Sequence, residues 1–329
     1  MKLTWEPITL NLRTPFRIAH GTFPQRFNVL VRLDEGIGEA PAVTYYGETQ
    51  DVITEYMSRV PELGDDPFDL DAVLDRLPQG SRAARAAIDI ALHDLWGKRL
   101  GHPLYRLFGL NPEALPLTSF TIGMDTPEVV AAKVKEAEGY PILKVKLGSP
   151  DDREMLAAVR DTTDRTLRVD ANEGWTLETA GERLEWLAKL GVEFVEQPLP
   201  ADRIEETRAL RRRSPLPFVA DESVHTAADI PRLAGAFDGI NIKLMKCGGI
   251  GEALRMIAVA RAHGMKVMLG CMIESSLAIA AAAHISPLVD TADLDGHLLI
   301  DNDPFVGPLV RAGQVILPDD PGLGVAPRT

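Results

Sequence analysis

Cysteine, long apolar segments and positive charge are all scarce in this sequence. Its 329 residues include only two cysteines, Cys247 and Cys271, which excludes a disulfide framework and a cysteine-rich zinc site. The first residues, MKLTWEPITLNLRTPF, lack the apolar core of a secretory signal peptide. The segment SLAIAAAAHI comes nearest to a membrane span and is too short for one. We therefore expect a cytoplasmic protein with no membrane partner.

The charge balance is acidic. There are 35 Lys and Arg residues against 48 Asp and Glu residues, which gives a formal net charge of -13 at pH 7. Such a surface repels the phosphates of nucleic acids and of anionic membranes. The composition, 45% hydrophobic and 25% charged, is typical of a globular protein. We expect a small-molecule substrate as the partner, and a homo-oligomer.

The pattern of the chain changes near residue 115. Before it, FNVLVRL (27–33) alternates like an antiparallel strand, and helical patterns cover about residues 50–60, 68–77 and 81–99. After it, short apolar strands alternate with amphipathic helices, which predicts parallel strands joined by crossover helices. The repeat length is close to the roughly 30 residues of each unit in a TIM barrel. A flat doubly wound sheet is the alternative, but no glycine-rich phosphate loop follows an early strand.

Charged residues stand at the ends of these apolar strands. They are Lys144, Lys146, Asp170, Glu196, Asp221, Lys243, Asp293 and Asp295. In a barrel all parallel strands end at one mouth, where barrel enzymes carry their catalytic residues. The two lysines of ILKVKLG (142–148) alternate with apolar residues and so face the same way. Carboxylates across the same opening would explain why two like charges are tolerated there.

Asp170, Glu196 and Asp221 end successive predicted strands and form a candidate metal site. All-oxygen ligands suit Mg²⁺, or Mn²⁺ as a second possibility, and the absence of His or Cys at these strand ends argues against zinc. A single acidic residue at a strand end is more often a helix cap or a solvated loop residue. Three of them at barrel spacing, with lysines on both sides, favour the metal site.

Five motifs in this order resemble the enolase superfamily, in its muconate-lactonizing subgroup: KVK, VDAN, VEQP, VADES and NIKLMKCGG. The resemblance covers essentially the whole chain. It implies an α/β fold, a modified TIM barrel (β/α)7β with an N-terminal α+β capping domain. Residues 1–115 would form the capping domain, completed by about 300–329, and residues 116–300 the barrel. The resemblance also implies Mg²⁺-assisted removal of a proton beside a carboxylate.

By this resemblance, Lys146 is a catalytic base and Lys144 contacts the substrate carboxylate. A base must be a neutral amine, whereas free lysine titrates near about 10.4. Both Lys144 and a bound cation disfavour the protonated form of Lys146. Lys243 would face Lys146 across the mouth, and two bases on opposite faces of one carbon invert a stereocentre. Lys246 is the alternative to Lys243, although its position just past the strand favours an ordinary loop lysine.

The pair Asp293 and Asp295, at the end of the last predicted strand, resembles the motif with which dipeptide epimerases of this subgroup bind the substrate ammonium. Two carboxylates two residues apart on a strand face the same way and form a cation site. The alternative for Asp295 is a turn before a glycine. GCMIESS resembles the segment of these epimerases that lines the substrate site, which makes Cys271 and Ile273 candidates for substrate binding, although both could be core residues. Thr121, at the end of the first strand, is a further candidate and is equally typical of a residue that lines the barrel.

The sequence therefore predicts an isomerase, a dipeptide epimerase that inverts the α-carbon of the C-terminal residue. Within the superfamily the alternatives are an N-acylamino-acid racemase and an o-succinylbenzoate synthase, whose acyl groups lack the ammonium that the aspartate pair would bind. A Schiff-base aldolase that uses Lys146 or Lys243 is an alternative from another enzyme class. A non-enzymatic binding protein is the remaining alternative, which the complete set of acids and lysines argues against.

The resemblance also implies that loops of the capping domain close over the mouth, and the candidates are residues 14–26 and 42–48. The basic residues of the first are Arg17, His20 and Arg26. They favour an acidic side chain on the substrate, because guanidinium groups bind carboxylates by charge-assisted hydrogen bonds. The favoured substrate is thus L-Ala-L/D-Glu. The alternative is an apolar pocket for a hydrophobic residue, formed by Phe16, Phe23 and Tyr45.

Overall fold

The computed structural model describes residues 1–18 and 21–329. The N-terminal part begins with a three-stranded antiparallel sheet of β1 (Leu3–Ile18), β2 (Gly21–Leu33) and β3 (Gly36–Pro41). Four helices follow, α1 (Gln50–Ser58), α2 (Leu70–Asp75), α3 (Arg82–Leu100) and α4 (Leu104–Leu107). The helices predicted near 50–60, 68–77 and 81–99 are therefore present.

Helix α3 packs directly on β3 because both surfaces carry very small residues. A Cβ atom added to Gly38 would lie 1.9 Å from the carbonyl oxygen of Ala87, and one added to Gly36 would lie 2.1 Å from that of Ala91. The side chain of Ser81 accepts a hydrogen bond from Ala84 N and caps the start of the helix. The sequence RAARAAIDIALHDL thus forms a helix whose alanine-rich face can touch a backbone.

Eight parallel strands form the second part, in sequential order around one sheet. They are β4 (Phe120–Ile122), β5 (Ile142–Lys146), β6 (Thr166–Asp170), β7 (Val192–Glu196), β8 (Phe218–Ala220), β9 (Gly239–Ile242), β10 (Lys266–Gly270) and β11 (Thr291–Asp293). The first and last strands are joined where Ser119 N donates to Ala292 O at 3.1 Å. This closes the sheet into a barrel, as the strand and helix alternation predicted.

Helices cover the outside of the barrel. They are α5 (Pro127–Glu136), α6 (Asp152–Thr162), α7 (Leu177–Lys189), α8 (Ile204–Arg211), α9 (Ile230–Leu233), α10 (Leu244–Cys247), α11 (Ile250–Ala262) and α12 (Ser276–Ile285). Short 3₁₀ helices cover Thr44–Tyr46, Pro112–Ala114, Ala227–Asp229, Ser286–Leu288 and Gly296–Leu299. Each longer helix turns an apolar face to the strands, as α7 does with Ala180, Leu184 and Leu187.

The C-terminal segment returns to the N-terminal part. It forms two small antiparallel pairs, β12 (Phe305–Val306) with β15 (Ala326–Pro327), and β13 (Leu309–Arg311) with β14 (Gln314–Ile316). Asp301 N donates to Asn11 O at 3.0 Å, beside an isolated bridge between Leu12 and Ile300. The domain boundaries near residues 115 and 300 stay a prediction.

Residues 14–26 were expected to be a loop, and the described ones are instead the end of the β1–β2 hairpin. Phe16 pairs with Phe23, and Ile18 with Gly21, after a register shift that begins at Asn11. Alternating side chains and cross-strand pairing hold these residues extended. His20 lies outside the described residues. The second expected loop, 42–48, contains a 3₁₀ turn closed by a bridge between Val43 and Glu48.

Within the described residues, no helix combines the length and the apolar character that a membrane crossing requires.

Candidate active site at the mouth of the barrel

Three carboxylates meet where the strands end, as the sequence predicted. Asp170 is the last residue of β6, Glu196 is the last of β7, and Asp221 directly follows β8. All three are fully buried, and one carboxylate oxygen from each lies within 4.8 Å of the others. Such a group of buried like charges is costly unless cations neutralise it. Its all-oxygen donor set fits a hard divalent cation such as Mg²⁺.

Lysines surround the three acids, and their contacts explain why two lysines on one strand can face the same way. Lys146 Nζ lies 2.6 Å from Asp170 Oδ2, and Lys243 Nζ lies 2.7 Å from Asp221 Oδ2. Lys144 Nζ lies 2.8 Å from Glu196 Oε2. The two β5 lysines therefore point into the barrel mouth and are compensated by carboxylates on neighbouring strands.

Burial and the ion pairs have opposite effects on the pKa values of the charged groups in the site. Burial and the charge of Asp170 raise the pKa of Glu196 to about 7. Burial would lower the pKa of Lys243, but Asp221 and Glu196 outweigh it and raise that pKa well above its ordinary value. The same competition, led by Asp293, raises the pKa of Lys144. Without further positive charge at the acids, Lys144 and Lys243 are therefore held as ammonium groups.

Lys246 is not the ordinary loop lysine that its position just past the strand suggested. It lies on the one-turn helix α10, is 4% exposed, and its ammonium contacts Asp221 Oδ1. Its Nζ also donates to the backbone carbonyls of Val224 and Asn241, both at 3.3 Å. Lys243 lines the cavity at the mouth, whereas Lys246 lines a neighbouring cavity. Of the two, only Lys243 is placed to reach a substrate at the mouth.

Asp293 and Asp295 lie beside the lysine and acid cluster. Asp293 Oδ2 accepts from Lys144 Nζ at 2.9 Å, and its Oδ1 accepts from Ser119 Oγ at 2.6 Å. Asp295 Oδ2 accepts from the backbone N–H of Thr121 at 2.6 Å. Burial and the neighbouring Asp293 raise the pKa of Asp295 to about 7. Lys144 contacts Asp293 but not Asp295, so one lysine does not neutralise both aspartates. The pair is therefore suited to bind a further cation.

The remaining predicted contacts differ in what they do. Thr121 lines the cavity and also donates from Oγ1 to Asp293 Oδ1 at 3.3 Å, so it supports the aspartate pair. Cys271 lines the cavity, and burial raises the pKa of its thiol, which leaves it unreactive. Ile273 lines the cavity and packs against Leu10 of β1. Cys247, in contrast, is buried in α10.

Several supporting residues carried no assigned role in the sequence. Asn241 Nδ2 donates to Glu196 Oε1 at 2.8 Å. Gln197 Oε1 accepts from Asp221 N at 3.0 Å, and its backbone has a φ of 35°, a conformation rare for residues other than glycine. Asn172 Nδ2 donates to the buried Glu222 at 3.1 Å. Gln197 and Glu222 each follow directly after an acid of the candidate metal site, and Asn172 stands two positions after another. Asn241 shares the alternation of Lys243, which is the signal that the sequence holds for it.

Two family models match the chain. Residues 3–109 match the N-terminal domain of mandelate racemase and muconate lactonizing enzyme, and residues 128–329 match the enolase C-terminal domain-like family. Together with the barrel and its acid and lysine cluster, these matches identify the class of protein. The chain belongs to the mandelate racemase and muconate lactonizing enzyme group of the enolase superfamily, and it is an enzyme of the isomerase type.

Individual relatives narrow the comparison further. The chain is 47% identical to L-Ala-D/L-Glu epimerase of Bacteroides thetaiotaomicron over 99% of this chain and 88% of the relative. It is 40% identical to a hydrophobic dipeptide epimerase of Roseobacter litoralis over 98% of each chain. A dipeptide epimerase of Cytophaga hutchinsonii, solved with Mg and D-Ala-L-Val, superposes with a TM-score of 0.92 at 29% identity, over 100% of this chain and 97% of that one.

Proposed function

We propose that this protein is a dipeptide epimerase that inverts the α-carbon of the C-terminal residue of its substrate. The observation that carries the proposal is one cavity lined from different strands by Lys146, Lys243, Asp293 and Asp295. Two lysines on the second and sixth of eight strands supply a base and an acid to one carbon. The aspartate pair supplies a site for the free ammonium group of a dipeptide.

The proposed reaction divides the work among these side chains. The substrate carboxylate lies against the acid cluster and beside Lys144. The ammonium of Lys144 offsets part of the negative charge of that carboxylate. A divalent cation held by Asp170, Glu196 and Asp221 would stabilise the second negative charge that develops on that carboxylate as the α-proton leaves. One amine, of Lys146 or Lys243, takes the α-proton, and the ammonium of the other lysine returns a proton to the opposite face.

The acid and lysine cluster argues against the Schiff-base alternative. A Schiff base forms from a neutral lysine and a carbonyl carbon, and it has no use for three buried carboxylates. The aspartate pair likewise argues against an acylamino-acid racemase, because an acyl group would leave Asp295 buried without a charged partner. A dipeptide has a carboxylate for the acid and lysine cluster and an ammonium group for the aspartate pair.

The side chain of the C-terminal residue is proposed to be acidic, which makes L-Ala-L/D-Glu the substrate. Among the described lining residues of the N-terminal part, Arg26 is the only one with a positive charge. Its guanidinium lies 3.9 Å from the ring centroid of Phe23, which holds it over the cavity. Arg17, the other arginine of this segment, is exposed to solvent. The rival apolar pocket would use Phe16 and Tyr45, which also line the cavity.

The test is a dipeptide library incubated in D₂O with Mg²⁺, with deuterium incorporation measured by mass spectrometry. We expect exchange at the C-terminal α-carbon, highest kcat/KM for L-Ala-L-Glu, and loss of the activity with EDTA. No exchange with any dipeptide would contradict the proposal. A clear preference for L-Ala-L-Phe with little dependence on salt would contradict the acidic side chain alone.

We propose Mg²⁺ as the physiological cation, with Mn²⁺ able to replace it because both accept oxygen ligands. The homo-oligomeric state and the cytoplasmic location stay predictions.

A further inference from the structure

A buried carboxylate outside the acid cluster joins the N-terminal part to the barrel. Glu39, in the middle of β3, has no solvent exposure. Its Oε1 accepts from Asn28 Nδ2 at 2.6 Å, and the backbone N–H of Ser275 lies 3.1 and 3.2 Å from its two oxygens. The hydroxyl of Ser275 donates to Oε2. Ser275 is the N-cap residue of α12, so Glu39 binds the start of a barrel helix.

Burying this carboxylate costs free energy, and an apolar side chain could fill the same space without that cost. Burial raises the pKa of Glu39, and hydrogen bonds from Ser275 and Asn28 only partly oppose that effect. A buried carboxylate held by neutral donors gains less than one paired with a cation. What it does provide is short hydrogen bonds of well-defined direction, which fix the relative position of the groups that make them.

Each member of this network stands two residues from a residue that lines the candidate active site. Glu39 precedes Pro41 on β3, Asn28 follows Arg26 on β2, and Ser275 follows Ile273. Residues two apart on a strand share a face, so Asn28 and Arg26 point to the same side. Asn28 Nδ2 also lies 3.4 Å from Ile273 O. The network therefore lies directly behind the wall of the cavity.

We propose that Glu39 is a positioning residue for the substrate site. Through Asn28 and Ser275 it fixes the barrel loop 271–275 against the strand that carries Arg26, and so it sets the spacing between two walls of the cavity. The same loop buries a second carboxylate, Glu274, whose pKa burial and the nearby Glu39 raise to about 8. This inference rests on the proposed function, which supplies the substrate used to test it.

The chain contains a matched control for this contact. Asp89 on α3 is also a buried carboxylate, and it accepts hydrogen bonds from Ile250 N at 2.6 Å and Gly251 N at 3.3 Å at the start of α11. It ties the N-terminal part to a barrel helix as Glu39 does, but it does not line the mouth cavity. Asp89→Asn therefore measures the cost of weakening such a tie away from the substrate.

The experiment compares Glu39→Gln, Asp89→Asn and the wild type with L-Ala-L-Glu and L-Ala-L-Ala as substrates, and measures thermal unfolding of each. We expect both variants to unfold at lower temperature, because each loses charge-assisted hydrogen bonds. Only Glu39→Gln should raise KM for L-Ala-L-Glu, by about tenfold, with kcat changed less than about threefold. It should also reduce the preference for L-Ala-L-Glu over L-Ala-L-Ala. Kinetics of Glu39→Gln equal to those of Asp89→Asn would overturn the inference.

A milder variant keeps the test valid if Glu39→Gln does not fold. Ser275→Ala removes one hydroxyl donor and retains the backbone N–H that contacts Glu39. We expect the same direction of change in KM at roughly a third of the size, and an unchanged KM would overturn the inference. Absence of dipeptide turnover by the wild type would instead overturn the proposed function, and with it this inference.

Discussion

At the scale of single residues, the mouth cavity is lined by three lysines, Lys144, Lys146 and Lys243, whereas Lys246 lines a neighbouring cavity. Lys146 and Lys243 each contact one acid of the candidate metal site and line the cavity. Lys144 bridges Glu196 and Asp293, and Lys246 is tied to Asp221 and to backbone carbonyls away from the cavity. The four lysines therefore differ in role because their ammonium groups contact different partners.

Replacing Lys146 or Lys243 should separate epimerisation from proton exchange. Lys146→Ala and Lys243→Ala should each reduce epimerisation by at least about 10²-fold, because inversion needs proton transfer on both faces of the carbon. Each variant should still exchange the α-proton of the one isomer that faces the surviving lysine, measured in D₂O by NMR. Lys266→Ala is the control, since Lys266 is exposed at the opposite end of the barrel. Full epimerase activity in both variants would contradict the two-base scheme.

Removing one acid of the proposed metal site should weaken cation binding and preserve the fold. Asp170→Asn replaces a charged ligand by a neutral one, and we expect Mg²⁺ affinity to fall by more than about tenfold in calorimetric titration. Relief of repulsion from Glu196 and Asp221 offsets the lost contacts with Lys144 and Lys146, so the unfolding temperature should change little. Asp202→Asn, at a side chain that is 79% exposed, should bind Mg²⁺ like the wild type. Equal Mg²⁺ affinity in Asp170→Asn would show that the cation binds elsewhere.

The aspartate pair should select substrates with a free N-terminus. Acetylating L-Ala-L-Glu removes the ammonium and leaves buried Asp295 without its charged partner, at a cost of about 2 to 5 kcal/mol. We expect kcat/KM to fall by roughly 30-fold or more. Asp295→Asn should reduce this discrimination. Equal rates on the free and acetylated dipeptides would favour an acylamino-acid racemase.

At the scale of elements, the close contact between β3 and α3 fixes the position of β3 beside the barrel. Gly38 has the carbonyl oxygen of Ala87 where a Cβ would be, and Glu39 and Pro41 follow on the same strand. A shift of β3 away from α3 would therefore move the residues that tie the strand to the barrel and line the cavity. The packing of α3 on β3 therefore affects the site through the residues that β3 carries.

Gly38→Ala should destabilise the protein far more than a glycine replacement in open space. The added Cβ would lie 1.9 Å from a backbone oxygen, which cannot move without displacing the helix. We expect a loss of about 1 to 3 kcal/mol or more, measured by denaturant unfolding. Gly139→Ala is the control, because nothing lies within 4 Å of its added Cβ. Equal stability of the two variants would mean that α3 and β3 can separate at little cost.

At the scale of the whole molecule, one histidine joins three segments that are distant in sequence. His284 of α12 accepts from Tyr105 N at Nδ1, at 3.2 Å, and its Nε2 lies 3.2 Å from Leu323 O. The neutral tautomer with the proton on Nε2 satisfies both contacts. Burial lowers the pKa of His284 from 6.5 to about 4. A proton on Nδ1 would also face the backbone N–H of Tyr105, so that two donors would meet.

This histidine should make the protein less stable in mild acid. Above pH 6.5 the imidazole is neutral in the folded and the unfolded chain, so it contributes no pH dependence. Between pH 6.5 and 4 only the unfolded chain takes up the proton, so stability falls by about 3 kcal/mol over this range. His284→Gln should flatten the decline of unfolding temperature with falling pH relative to His263→Gln, whose side chain is exposed. Parallel pH profiles for the two variants would exclude His284 as a source of acid sensitivity.

The repeating units of this protein could be predicted from the sequence because they depend on neighbours along the chain. Strands such as β5 and helices such as α7 follow from the spacing of apolar residues over about ten positions. Parallel strands bring their ends together, so Asp170, Glu196 and Asp221 could be grouped without any structure. The resemblance of the surrounding motifs then pointed to the class of enzyme.

The partners that these side chains meet depend on contacts between segments that are distant in sequence. Lys246 follows a strand as an exposed lysine would, yet the one-turn helix α10 buries it against Asp221. Ser275 meets Glu39 across 236 positions of sequence, and no local pattern marks either residue. The physical reason is that periodicity reports which face of an element is buried, whereas a contact between distant elements depends on how the whole chain packs.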